Sequence, residues 1–331
     1  MKQIKSLLSS KHDIVITTHV NPDGDAIGSS LALYNFLLKM NHSVNVIVPN
    51  GYPNFLSWMK YNDRVINYSE NKEKANQLIH ESTIIFCLDF NNLNRIHGLG
   101  LLIENADSSK ILIDHHLDPS DFYDHKIHDT NASATAELVY ELIQFINPDF
   151  IDRHIAECIY TGILTDTGSF KFSSTSSRVH RVVAELIDKG AEINKIHNMI
   201  YDNNSLDKLK LIGFSLSQKL EIISNGNVAY IVLSRKDLTD YNYKKGDTEG
   251  LVNYALSISK VNMATLIIET KEKIKFSFRS VGEFSVNQFA RDYFNGGGHK
   301  NAAGGSLEDK LSVALDKFLD SVYKCSNELN Y

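Results

Sequence analysis

The chain has 331 residues, of which 43% are hydrophobic and 22% charged, a composition typical of globular proteins. Its 34 Lys and Arg against 40 Asp and Glu give a formal net charge of -6, which disfavours a protein that grips long nucleic acid through counterion release. No window approaches the roughly 20 continuous apolar residues of a membrane span. The length predicts two domains, each large enough to bury a core.

The amino terminus and the cysteines predict a reduced, cytoplasmic protein. Residues 1–10 lack the apolar core and the small-residue cleavage site of a secretory signal. Cys87, Cys158 and Cys325 are odd in number and form no Cys-x-x-Cys pair. That spacing disfavours both a disulfide framework and a thiolate zinc site. We therefore expect neither a membrane nor a long duplex nucleic acid among the partners.

Strands and helices are predicted to alternate in the first half of the chain. Short runs rich in β-branched residues, at 14–18, 44–48, 83–88 and 110–113, are typical of the buried strands of a parallel sheet. Apolar residues recur at helical spacing over 25–40, so the first two strands and this helix make a βαβ unit. Further helices are predicted over 134–146, 155–164 and 177–189.

The character of the sequence changes after Gly190. Polar helices over 193–220 predict a connector, which is followed by strands over 228–233, 265–270 and 273–279 and by a helix over 309–323. The prediction is an α/β fold in which a parallel-sheet domain with helices on both faces is joined to a smaller α/β domain. We place the domains at 1–190 and 213–331, with a helical linker over 191–212.

Residue types that ligate metals follow three of the predicted strands, and one more ends a predicted helix. These candidates are His19, Asp23, Asp25, Asp89, Asp114, His115, His116 and Asp166. Because the carboxyl ends of parallel strands meet at one edge of a sheet, we expect these side chains to converge there. A single Asp at a strand end is more often a helix cap than a ligand. The repetition at three strand ends is what favours a metal site.

Four carboxylates in one cleft cannot all stay ionised without cations to balance them. Two divalent ions would do so, and oxygen ligands with imidazole but no thiolate favour Mn²⁺ or Mg²⁺ over structural zinc. Two such ions form the clamp that enzymes use for in-line attack at phosphorus. One carboxylate must bridge them, and Asp89, alone at the end of a central strand, is the expected bridge.

These motifs together resemble the DHH phosphoesterase family. The resemblance is carried by Asp89, the triplet Asp114-His115-His116, Asp166 and the run His19-x-x-Pro22-Asp23-Gly24-Asp25-Ala26-x-Gly28-Ser29. Late in the chain, a second segment resembles the signature of the DHHA1 domain: Gly296-Gly297-Gly298-His299-x-x-Ala302-Ala303-Gly304. The resemblance spans nearly the whole chain and is to the stand-alone nanoRNase and 3′-phosphoadenosine 5′-phosphate (pAp) phosphatase type. It makes 1–190 the DHH catalytic domain and 213–331 the DHHA1 substrate-binding domain.

The resemblance also implies roles for individual residues. One metal would be held by His19, Asp23 and Asp89. The other would be held by Asp25, Asp89, His115 and Asp166. His116 would face substrate, where it could donate a hydrogen bond to the phosphoryl group or protonate the leaving oxygen, so His116 and Asp89 are the expected catalytic residues.

In the second domain, the resemblance implies that a strand arginine and the glycine-histidine segment contact the nucleotide. Arg279 could grip a second phosphate bidentately. Gly297 and Gly298, followed by His299, could form a backbone nest for an anion. Ser133-Ala134-Thr135 is expected to cap a helix, and family members carry similar small polar residues near the phosphate.

The expected function is manganese-dependent hydrolysis of short oligoribonucleotides to mononucleotides, of pAp to AMP, or of both. A cyclic or linear dinucleotide phosphodiesterase of the same family would use the same ligands. A single-strand exonuclease would want further binding domains and a basic track, neither of which is seen. From another class, the chain could be a nucleotide-binding regulator that keeps the metals, which the intact ligand positions disfavour. The resemblance also allows a homodimer.

Overall fold

The computed structural model describes residues 1–329, so positions 330 and 331 of the predicted second domain lie outside the described residues. The chain divides into two compact units, Met1–Asn203 and Asn204–Tyr331. The division falls inside the stretch 191–212 that the sequence analysis assigns to a linker, and the limits given there stay a prediction. Among the described residues, no helix combines the length and the apolar character needed to cross a membrane.

The first unit is built on a parallel sheet. Its strands are β1 (Asp13–Thr18), β2 (Ser43–Val48), β3 (Ile66–Asn67), β4 (Ile84–Leu88), β5 (Ser109–Asp114) and β6 (His125–His128). Their order across the sheet is β3-β2-β1-β4-β5-β6, and every pairing is parallel. The helices are α1 (Lys2–Leu7), α2 (Gly24–Lys39), α3 (Lys72–Glu81), α4 (Gly98–Glu104), α5 (Thr135–Ile146), α6 (Arg153–Asp166), α7 (Ser177–Asp188) and α8 (Ile193–Ile200).

Both faces of this sheet are covered, which explains why its central strands are continuously apolar. Ile14 and Ile16 of β1 belong to the core shared with α2, α5 and α6. Val15, between them, belongs to the core on the other face, with α3 and α4. Successive residues of a strand point to opposite faces, so burial on both sides favours apolar residues at consecutive positions.

Three helices of the first unit approach one another at glycines. A Cβ atom at Gly28 of α2 would lie 2.5 Å from the Cys158 carbonyl oxygen of α6. A Cβ atom at Gly162 of α6 would lie 2.5 Å from the Ala136 Cβ of α5 and 2.7 Å from an oxygen of Asp25. Real Cβ contacts are longer than this, so both positions need glycine for the helices to pack as they do.

The second unit has a mixed sheet. Its strands are β7 (Leu220–Ile223), β8 (Val228–Leu233), β9 (Met263–Glu269), β10 (Ile274–Ser280), β11 (Gly297–His299) and β12 (Ala302–Leu307). The order is β11-β12-β10-β9-β8-β7, with β8 and β9 parallel and the other neighbours antiparallel. The helices are α9 (Leu206–Gln218), α10 (Arg235–Asp240), α11 (Leu251–Leu256), α12 (Val286–Tyr293), α13 (Leu311–Lys324) and α14 (Ser326–Leu329). The predicted α/β fold class is confirmed.

Candidate metal centre

The loop from β1 into α2 brings the first candidate ligands to the carboxyl edge of the sheet. Asp23 caps α2, because its carboxylate accepts the backbone N–H groups of Asp25 and Ala26 at 3.1 and 3.0 Å. His19 is buried, and its Nδ1 lies 2.9 Å from the Val20 carbonyl oxygen. A carbonyl oxygen only accepts, so Nδ1 carries the proton and Nε2 is the ligating nitrogen. That nitrogen lies 3.8 Å from Asp23 Oδ2 and 3.4 Å from Asp89 Oδ2.

Asp89 occupies the centre of the cluster. It follows β4 with a φ of 63°, a left-handed conformation that Asp tolerates better than most residues and that turns the chain sharply at the strand end. Its two oxygens face different imidazoles. Oδ2 is 3.4 Å from His19 Nε2, and Oδ1 is 3.6 Å from His115 Nε2. This is the arrangement expected of a carboxylate that bridges two ions.

His115 belongs to a second group of candidate ligands around the other oxygen of Asp89. Its Nδ1 contacts the Ala132 carbonyl oxygen at 3.1 Å, which assigns the proton to Nδ1 and leaves Nε2 as the ligating nitrogen. Nε2 lies 3.4 Å from Asp166 Oδ2, at the end of α6, and 4.0 Å from Asp25 Oδ2. The structure thus brings together all of the metal ligands that the sequence predicts.

The residues present fit two divalent ions. Ligand atoms of His19, Asp23 and Asp89 all lie within 4.8 Å of one another, and so do those of Asp25, Asp89 and His115. Both groups combine carboxylate oxygen with imidazole nitrogen and share Asp89. Such donor sets suit Mn²⁺ or Mg²⁺ better than a structural zinc ion.

The electrostatics of the cluster favour the binding of positive charge. Burial raises the pKa of Asp25 well above its ordinary value, and the negative charges of Asp89 and Asp166 raise it further. Burial also opposes the charge on Asp89, but its hydrogen bond with His19 and the charges of His116 and His115 hold the Asp89 pKa below its ordinary value. Without a cation, one carboxyl group therefore tends to take up a proton.

The neighbouring carboxylates also shift the pKa values of the two imidazoles, His19 and His115. Burial lowers the pKa of His19, but its hydrogen bond with Asp89 and the charge of Asp23 outweigh burial and raise it. The same opposition, with Asp89 and Asp25 as the dominant charges, raises the pKa of His115. Protons thus compensate the carboxylates in the metal-free chain, and divalent ions would displace them.

His116 is held by a carboxylate to which the sequence analysis gave no role. Its Nδ1 lies 2.8 Å from Oδ1 of Asp114, which is fully buried at the end of β5. The bond assigns the Nδ1 proton, so that Nε2 is the nitrogen suited to proton exchange with substrate. Spacing was the available signal: residues two apart in an extended segment lie on the same face.

The amino end of α5 contacts two of the candidate ligands. The N–H groups of Thr135 and Ala136 donate to the two oxygens of Asp25 at 2.6 and 2.9 Å. The Thr135 hydroxyl donates to Asp89 Oδ1 at 3.0 Å. The cap of α5 falls within the predicted residues 133–135, but not through a side chain of these residues. The capping residue, Ala134, has no side-chain acceptor, and Asp25 satisfies the helix from elsewhere in the chain.

In the second unit, the predicted nucleotide-binding residues lie on neighbouring strands. Arg279 of β10 and His299 of β11 both pair with Ala302 of β12, so the three form a row across the sheet. Gly297 and Gly298 are part of β11. The predicted nest is wrong, because the segment is a paired strand and the Gly298 N–H already donates to Asn287 Oδ1 at 3.0 Å.

Two residues of α12, which contact the glycine strand beside this row, were not identified from the sequence. Asn287 Oδ1 also accepts from Arg291 Nε at 3.3 Å, which places a second guanidinium beside the glycine strand. Both residues lie on α12, one helical turn apart. Their sequence context resembles any amphipathic helix, so only the pairing of β11 with β12 reveals them.

Comparisons with known proteins match both units. Residues 13–163 match the model of the DHH family, N-terminal domain, and residues 225–328 match that of the DHHA1 domain. The Bacillus subtilis bifunctional oligoribonuclease and PAP phosphatase NrnA is 29% identical over 297 residues, 89% of this chain and 89% of that protein. The protein of the same name from Thermus thermophilus is 29% identical over 93% of this chain and 89% of its own length.

A solved structure agrees with these sequence matches. An exopolyphosphatase-related protein from Bacteroides fragilis is 40% identical, covers 99% of this chain and 97% of its own, and superposes with a TM-score of 0.94. The ligand motifs, the sheet that gathers them and these relatives agree along nearly the whole chain. The chain belongs to the DHH phosphoesterase family and carries that family's DHHA1 domain.

Proposed function

We propose that this phosphoesterase uses two divalent metal ions to hydrolyse short oligoribonucleotides to mononucleotides and pAp to AMP. The observation that carries the proposal is the position of Asp89, whose two oxygens face two separate groups of ligands. The names of the Bacillus and Thermus relatives support this substrate class. The cytoplasmic location and the homodimer stay predictions.

The ligands divide between the two ions as the family motifs imply. His19, Asp23 and Asp89 would hold one ion. Asp25, Asp89, His115 and Asp166 would hold the other. We propose Mn²⁺, with Mg²⁺ as the alternative. When bound, such ions withdraw charge from the phosphoryl group and make water a nucleophile at neutral pH.

His116 is the proposed proton donor to the leaving oxygen. Its bond to Asp114 engages Nδ1 and fixes the ring orientation, so the proton is delivered from Nε2. The buried Asp114 carboxylate orients the ring, as in other carboxylate–histidine pairs. Neither residue needs to ligate an ion for this role.

The function is tested by product analysis with Mn²⁺, offering pAp, the dinucleotide pApA, a five-nucleotide RNA and a cyclic dinucleotide side by side. We expect AMP from pAp and mononucleotides from the short RNA. Activity confined to the dinucleotides would replace the proposal with a dinucleotide phosphodiesterase. No hydrolysis of any of the four, with metal shown to be bound, would favour the nucleotide-binding regulator.

Arg279 is proposed to bind the second phosphate of the substrate. Arg279→Lys keeps the charge but loses the bidentate geometry. We expect the KM for pAp to rise about 10- to 100-fold, as for loss of one charge-assisted hydrogen bond, with a smaller change in kcat. Steady-state kinetics on pAp and on p-nitrophenyl phosphate, which has a single phosphate, give the measurement.

The matched control for this variant is Lys275→Ala, an exposed residue on the same strand and the same face. Its KM for pAp should stay near that of the wild type. An equal loss on both substrates in Arg279→Lys would contradict the phosphate assignment, because the single-phosphate ester has nothing for Arg279 to recognise.

A further inference from the structure

One residue of α5 contacts two carboxylates of the candidate metal centre, Asp25 and the shared Asp89. The hydroxyl of Thr135 donates to Asp89 Oδ1, and its backbone N–H donates to Asp25 Oδ2. Thr135 is completely buried and belongs to no ligand set. In the sequence, Thr135 lies 46 residues from Asp89 and 110 from Asp25. Both contacts therefore form only in the folded chain.

We propose that Thr135 is a positioning residue of the metal centre. Its hydroxyl fixes which oxygen of Asp89 faces each of the two ligand sets. The inference rests on the two ligand sets of the proposed function. A carboxylate turns easily about its terminal torsion, because that torsion has only broad minima. A hydrogen bond to one oxygen removes this freedom. Since Thr135 holds Oδ1 on the His115 side, Oδ2 remains on the His19 side.

The hydroxyl of Thr135 is itself rigidly placed. Threonine is branched at Cβ, so few rotamers are available to it. Its backbone, with that of Ala136, is tied to the two oxygens of Asp25. A rotation of the Asp89 carboxylate would therefore break its bond to Thr135, and Thr135 is itself held in place by Asp25. One residue thereby couples the geometry of the two ligand sets.

The buried carboxylate of Glu137 stabilises the segment that leads into α5. Oε2 of Glu137 accepts both the backbone N–H and the hydroxyl of Ser133, at 2.8 and 2.9 Å. Its other oxygen lies 3.4 Å from Nε of the half-exposed Arg178, which offsets the buried charge. Glu137 has no part in the proposed chemistry. Its two bonds fix Ser133, which stands two residues before Thr135, and so the start of α5.

The test removes the hydroxyl and leaves the backbone unchanged. Thr135→Val has nearly the same shape and keeps the N–H that binds Asp25. We expect Mn²⁺ affinity, measured by calorimetry on the EDTA-treated chain, to fall about 10- to 100-fold, as is usual for the loss of an outer-shell partner. The rise in Tm that Mn²⁺ produces should shrink accordingly. Thr135→Ser, which restores the hydroxyl, should recover most of the affinity.

The control is Thr161→Val. Thr161 is equally buried, but its hydroxyl donates to the Glu157 carbonyl within α6 at 2.8 Å. This variant should lower the Tm of the metal-free chain without changing the increment that Mn²⁺ adds. A purely structural role for Thr135 would give that same pattern. Wild-type affinity in Thr135→Val, or a Thr135→Ser variant as weak as Thr135→Val, would overturn the proposal.

These measurements separate the inference from the proposed function. A wild-type chain that binds two Mn²⁺ ions and loses affinity in Thr135→Val, yet hydrolyses no nucleotide, would keep the positioning role and refute the substrate class. A wild-type chain that binds no divalent ion would overturn both. Hydrolysis of pAp by a Thr135→Val variant with unchanged metal affinity would keep the function and refute the positioning role.

Discussion

Replacing Asp89 by asparagine should lower kcat/KM for pAp by about 10³-fold or more, the scale of losing a group central to catalysis. Asparagine keeps the size of the side chain and tolerates the left-handed backbone at this position. It lacks the negative charge, and its amide nitrogen replaces one of the two oxygens that face His19 and His115. One ligand set therefore loses its ligating oxygen at this position, and the other keeps an oxygen that carries no charge.

The variant should also bind Mn²⁺ weakly at both sites, which calorimetry on the EDTA-treated chain would measure. Circular dichroism would check that the fold is retained. Asp107→Asn is a suitable control, because Asp107 is exposed and precedes β5 at the opposite end of the sheet from the ligands. More than a tenth of wild-type kcat/KM in Asp89→Asn would rule out a shared ligand and with it the two-metal assignment.

Replacing Gly162 by alanine should destabilise the first unit and remove most of its activity. The added Cβ would lie 2.5 Å from the Ala136 Cβ and 2.7 Å from an Asp25 oxygen. Helix α6 would have to move away from α2 and α5, at a cost of about 1–3 kcal/mol for overpacking. The added Cβ would also displace the Asp25 carboxylate. We therefore expect metal affinity and kcat/KM to drop at least about 100-fold.

The sign of the stability change is the decisive measurement for Gly162→Ala. Alanine is the better helix former by about 1 kcal/mol, so helix propensity alone predicts stabilisation. Gly213→Ala in α9 isolates that effect, because a Cβ there meets no atom within 4 Å. In urea or thermal unfolding of the metal-free chain, we expect Gly213→Ala to gain stability and Gly162→Ala to lose it. Equal gains would contradict the tight helix approach.

The central strands and their ligands could be predicted because their signal is local. A run of β-branched residues buried on both faces predicts a central strand, and such runs directly precede His19, Asp89 and His115. The edges were harder to predict. Strand β3 has only two residues, and β6 has a histidine at each end and a single buried apolar residue, Ile127. Both form because a neighbouring strand offers its backbone groups, which propensity does not encode.

The contacts that orient the site could not be predicted from the sequence. The cap of α5 comes from Asp25, and the donor to Asp89 comes from Thr135, both across long separations in the chain. The backbone nest predicted for the glycine segment does not form, for a related reason. Glycine favours turns, yet Gly297 and Gly298 are paired with β12, where a close backbone approach leaves no room for a Cβ at position 298.

The amides at the start of α5 hold both oxygens of Asp25 through bonds that do not involve an ion. Loss of an ion then requires no rearrangement of the backbone, and its return requires no refolding. The time scale of exchange is that of ligand substitution at the ion, which is far shorter than that of unfolding for most domains. On the proposed function, divalent ions would therefore exchange with those in solution while the chain stays folded.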